Sequence, residues 1–282
     1  MSSDRPTSPR VLDEARHVAP VPNSSRRSRD RRRLLAIALI LAVVSALWLA
    51  RDQWWPLAVS SNPYEATPAE NFPVGADGIV PPVAAPVDGM SADAVADALD
   101  QVRRALIGAY LDPRMLVEHD PEPVLNLLAP DSAATVAPRF ANAGYGTTLI
   151  RLAPGTTLAA PPRVSGQLSY QRVDWNGMPA LDVTSNYVFA YAFDQPSGVV
   201  VIHSETHWMF PLSTALRLSS RGMYLGRTSG YWHGMDCASA SRGLTAPAPP
   251  HDRGANPAYR DPEPLDAYFD PNRPVDITSG CR

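Results

Sequence analysis

Two imidazoles and a carboxylate fall within five residues at His203, Ser204, Glu205, Thr206 and His207. These are the side chains that grip zinc and move protons near neutral pH. On a helix the two His would share a face. The zinc-protease order is HExxH, however, and here the Glu stands in the middle. The surrounding run VVVIHSETHWMF also reads as a strand. On a strand His203, Glu205 and His207 point to one side, with the two His about 13 Å apart. One zinc with bonds of about 2.0–2.1 Å cannot span that gap without help from a neighbouring strand. Two readings follow. One is a polar sheet face turned to water, with Val200, Ile202, Trp208 and Phe210 buried behind it. The other is a metal or ligand site on the same face.

Four further groups carry chemistry by type. His233 and Asp236, in the run Tyr231–Cys237, could act as an acid/base pair, but no GxSxG nucleophile elbow accompanies them and a turn beside a disulfide is the better account. Tyr187, Phe189, Tyr191 and Phe193 alternate, so they either line a ligand pocket or form the core under a helix. Asp261, Glu263, Asp266, Asp270 and Asp276 lack the spacing and glycine of a calcium loop, which leaves solvated charge. Cys237 and Cys281 are the only cysteines and form no CxxC motif. A bridge between them would close a loop of about 44 residues, worth roughly 4 kcal/mol; free thiols, or a reactive Cys237 beside His233, are the alternative. No phosphate-binding glycine loop and no catalytic residue is identified, and no cofactor is expected.

These residues need elements to position them. Residues 90–111 give the clearest helix, with Ser91 as N-cap and an apolar stripe of Val95, Leu99, Val102, Leu106 and Tyr110. Asp112-Pro113 ends it. Short helical pieces follow at 121–128 and 132–143. The period then changes to two. Val164–Trp175 and Pro179–Phe193 read as a hairpin about Asn176-Gly177. A turn at Pro196-Ser197-Gly198 leads to a strand over Val199–Phe210, and a fourth strand covers Gly222–Trp232. The expected fold class is α+β: N-terminal helices packed on a curved antiparallel sheet of three to five strands, preceded by one transmembrane helix.

That membrane helix is expected at residues 34–50, LLAIALILAVVSALWLA, which carry no charge and span about 26 Å as a helix. Arg26, Arg27, Arg31, Arg32 and Arg33 precede it and only Arg51 directly follows, which places residues 1–33 in the cytoplasm and the C-terminal body outside. A cleaved signal peptide or a twin-arginine export signal gives the same location for the body. The expected organisation is a basic cytoplasmic tail (1–33), the span (34–50), a Pro-rich linker (51–89), an exported domain (90–242) and a Pro/Asp-rich tail held by the disulfide (243–282). Residues 51–282 hold sixteen Arg against twenty-four acids, which excludes a nucleic-acid-binding body.

A helix, shorter helical pieces and a long antiparallel meander over residues 91–235 resemble the cone-shaped domains of the nuclear-transport-factor-2-like superfold. The resemblance rests on element order and implies a fold that also occurs behind single membrane anchors in bacterial envelope proteins. That fold serves enzymes, pockets and scaffolds, so no residue role is carried over. The expected function is a non-catalytic binding or assembly module of the cell envelope. Its partners would be the lipid bilayer, through residues 34–50, and another envelope or membrane protein. The alternative is an exported enzyme or a small-ligand or metal binder using His203, Glu205 and His207.

Overall fold

The computed structural model describes residues 62–140, 148–195, 198–213, 215–249 and 264–275. They belong to a compact unit, Ser61–Arg282. Ser91 caps the long helix α1 (Ala92–Tyr110) by accepting from the Ala94 N–H at 3.2 Å. The expected stripe is its buried side: Val95, Leu99, Val102, Leu106 and Tyr110 are each 2 % exposed or less. Asp112 then caps α2 (Pro113–Leu116) through the Arg114 N–H. Two more helices, α3 (Glu122–Leu125) and α4 (Pro130–Phe140), complete the helical half.

The sheet holds β1 (Thr157–Leu158), β2 (Arg163–Trp175), β3 (Met178–Gln195), β4 (Gly198–Pro211) and β5 (Tyr224–His233). Its order is β1-β3-β4-β5, with β2 also paired to β3, and every pairing is antiparallel. The β2–β3 turn is the one the sequence signals. Asn176 and Gly177 both take positive φ, 55° and 77°, as a twisted two-residue hairpin requires. A one-turn helix, α5 (Cys237–Ala240), follows β5.

Strand alternation gives the sheet two faces. One bears Leu181, Val183, Tyr187, Phe189 and Tyr191 of β3 with Val200, Ile202 and Trp208 of β4, all buried beneath α1 and its neighbours. The other face changes character along its length. Its Val188, Ala190, Ala192 and Val201 end packs with Tyr64, Ala69 and Phe269 in a second, smaller core. Its Asp182, Thr184 and Asn186 end is polar.

The second core corrects two expectations. Residues 62–89, read as spacer, are a strap fastened to the sheet. The Tyr64 hydroxyl donates toward the carbonyls of Pro161 and Ala190 at 3.0 and 3.1 Å and accepts from the Ala192 N–H at 3.2 Å. Arg163 donates to the Phe72 carbonyl, and Arg103 to those of Ile79 and Ala76. Proline-rich backbone forms no regular ladder of its own, so its carbonyls are taken by side chains of the elements it crosses. The residues after 242 are likewise partly folded. Thr245 bridges to Leu152 and Pro247 to Met235, and a 3₁₀ turn at Leu265–Phe269 lays Phe269 on the sheet.

A third correction concerns the fold class. Among the described residues no helix is long and apolar enough to cross a membrane. The longest, α1, carries Asp93, Asp97, Asp100, Arg103 and Arg104. Residues 34–50 lie outside the described residues. The architecture is therefore an α+β domain with a five-stranded antiparallel sheet, and the single-pass, signal-anchor description is withdrawn.

Candidate functional site

The polar end of the second sheet face is built by register. β3 sets Thr184 opposite His207 and Asn186 opposite Glu205, and β4 sets Glu205 opposite Ser229 of β5. Asp182 is 4 % exposed, deep for a carboxylate. Its Oδ2 lies 2.8 Å from His207 Nδ1, and the Thr184 hydroxyl stands 3.5 Å from its Oδ1 and 3.3 Å from the same His nitrogen. A carboxylate accepts, so His207 Nδ1–H donates to Asp182. The His207 Nε2 faces outward, 3.4 Å from Arg227 Nη2 and 3.8 Å from Glu205 Oε1. Asp182, Thr184, His207, Glu205 and Arg227 thus form one linked row with a fixed imidazole at its centre.

His203 is not part of that row. Its Nε2 lies 2.6 Å from Asn186 Oδ1, and its ring meets Tyr231 edge-on at 5.0 Å. It is fully buried, and among the described residues its Nδ1 has no partner. Burial pushes its pKa down to about 4; nearby Asp270 opposes this and Arg273 adds to it. The water-facing row expected from the sequence therefore splits. Glu205 and His207 stay partly open, while His203 is roofed by the segment after Pro264, where Arg273 lies over the rings of Tyr268 and Tyr231. Val200, Ile202, Trp208 and Phe210 occupy the buried side as the alternation demands.

The other sequence candidates find separate places. Asp236 spends its carboxylate on the Ser239 N–H as the cap of α5, while His233 stacks on Tyr268 with centroids 4.3 Å apart. Asp270 accepts from the backbone and side chain of Asn272 in a turn. Asp261, Glu263 and Asp276 lie outside the described residues. No cluster of three or more His, Cys, Asp or Glu suited to a metal occurs among the described residues. Cys237 is disulfide-bonded; Cys281, the chain's other cysteine, lies outside the described residues.

The alternating aromatics of β3 fill the helix-side interior. Tyr110 and Phe189 stack with centroids 4.0 Å apart, the Tyr191 hydroxyl donates to the Tyr110 carbonyl at 2.8 Å, and the Tyr110 hydroxyl donates to Ser204 at 2.9 Å. Burial pushes the Tyr187 hydroxyl up to about 12.

Asp182, Thr184 and Arg227 are the functional neighbours that the His-centred pattern misses. The signal for the first two was their alternation on β3. No protein-family model, curated protein or solved structure matches this chain.

Proposed function

We propose that Ser61–Arg282 acts as a non-catalytic binding module that recognises another protein through the open polar end of its second sheet face. The filling of the helix side by Tyr110, Phe189 and Tyr191 carries this reading: the interior where such a sheet would hold a substrate is occupied by its own aromatic rings. Recognition then falls to a surface, and the linked row around His207 is a pre-organised one. A site of action outside the cytoplasm accords with the disulfide at Cys237. The likeness to nuclear-transport-factor-2-like domains belongs to the same reading, supported by helices that precede an antiparallel meander. The test is site-specific photocrosslinking in intact cells from position 171, an exposed glutamine opposite Asp182. One recurrent partner should be captured and then lost in His207→Ala and Arg227→Glu, but kept in Val117→Ser, a change at an exposed position in the helical half. A crosslinking pattern indifferent to His207 and Arg227 would defeat the proposal.

A second reading is favoured by the Asp182–His207 contact. A buried carboxylate that fixes Nδ1–H and leaves Nε2 outward is the arrangement of a proton acceptor. It predicts turnover of an added substrate that disappears with His207→Ala while partner capture persists.

A further inference from the structure

A cavity of about 330 Å³ lies at the opposite end of the same sheet face. Its floor is Gly198, Val199 and Val201 of β4 with His233 and Gly234 at the end of β5. The two strand ends meet closely there, since a Cβ on Gly234 would stand 2.6 Å from the Val199 carbonyl oxygen. One wall is Thr67 of the N-terminal strap, and the other is Leu265 and Phe269 of the C-terminal 3₁₀ turn. Thr67 commits its hydroxyl to the Tyr64 carbonyl at 2.7 Å. Among the described residues, apart from the His233 ring, stacked on Tyr268, the lining side chains are therefore aliphatic or aromatic surface. Leu265 is 45 % exposed and stands at the mouth.

Water gains little in such a space because it finds too few polar partners. A volume of about 330 Å³ is at the small end of ligand pockets, which run roughly from 300 to 1,000 Å³. We propose that this cavity binds a small hydrocarbon group, the alkyl part of an amphiphile, between the two straps and the β4–β5 strand ends. The head of such a ligand projects past Leu265 into solvent, and its chain lies along Val199 and Leu265, the lining aliphatic side chains that keep exposed surface. The cavity borders the second core, so occupancy ties both straps to the sheet without touching the His207 row.

The experiment titrates the full chain with n-alcohols from butanol to decanol, followed by calorimetry and by methyl NMR of Val199, Val201 and Leu265. Binding should saturate at one site, and each added methylene should tighten it about fourfold until the chain outgrows the cavity, after which affinity levels off. Val199→Phe and the surface change Leu265→Trp should abolish the series while cooperative thermal unfolding shows both variants folded. A non-saturating response, or an identical series in both variants, would overturn the proposal.

Discussion

His207 Nδ1 and Asp182 Oδ2 lie 2.8 Å apart on neighbouring strands, and the carboxylate is almost completely enclosed while the imidazole keeps an open edge. This is a costly way to place a charge unless the imidazole it orients is used. Asp182→Ala should leave His207 without its fixed tautomer. Nitrogen NMR of the imidazole should show a proton held on Nδ1 in the native protein and tautomer exchange in the variant. Because His207 is partly solvated, the stability cost should be moderate, about 1–3 kcal/mol. An unchanged tautomer would show that Asp182 does not hold the ring.

His203 makes stability depend on pH. Its folded pKa is lowered to about 4 by burial, below an unfolded value of about 6.5. The unfolded chain therefore binds the extra proton first as pH falls. The contribution is complete above about pH 6.5 and is lost as pH falls toward 4, a total on the order of 3 kcal/mol. Urea unfolding at pH 7.5, 5.5 and 4.5 should show this loss, and His203→Phe should remove it while retaining the carboxylate background. Equal slopes in the two proteins would contradict the assignment.

The stack of Tyr110 on Phe189 joins α1 to the sheet. Phe189→Ala and Tyr110→Ala should each cost about 3–5 kcal/mol. The two residues touch, so the double variant should fall short of the sum. Chemical denaturation of the three proteins measures the coupling, and strict additivity would rule the contact out as an energetic link.

Cys237→Ser should loosen the chain beyond the sheet without unfolding it, since β2–β5 are paired independently of Cys237. Limited trypsin digestion should cut first at Arg253 and Arg260, and only after reduction or in the variant. Identical cleavage before and after reduction would show that the bridge restrains nothing there.

The long elements were legible because local rules and tertiary packing agree on them. Ser91 caps α1, the Val95-to-Tyr110 stripe is its buried side, and Asn176-Gly177 closes the β2–β3 hairpin. What the sequence hid is the second layer over the sheet. Val188, Ala190 and Ala192 are small apolar residues on a face that begins with Asp182 and Thr184, and nothing local says that Tyr64 and Phe269 cover them. The same cover buries His203, so a row with uniform alternation became one buried and two half-open side chains. The partners of His207 were hidden for a different reason. They depend on β3–β4 register, set by a turn whose length Pro196, Ser197 and Gly198 do not fix, and a slip of one residue would exchange the faces. The span expected at residues 34–50 was read from an apolar run and its Arg flanks; those residues lie outside the described ones, and no described helix is long and apolar enough to cross a membrane.

The hydroxyl of Tyr64 reaches Ala190 across 126 residues of chain, and Phe269 completes the same layer from nearer the C-terminus. During synthesis, α1 and β2–β5 can pair as they emerge with Tyr64 and Ala69 already made, but the far side of the sheet lacks its Phe269 cover until residue 269 has left the ribosome. Val199 and Val201 of β4 are thus the last of this apolar surface to be sheltered. A nascent chain truncated before Pro264 displays them as a sticky patch, the surface on which a chaperone would be expected to wait.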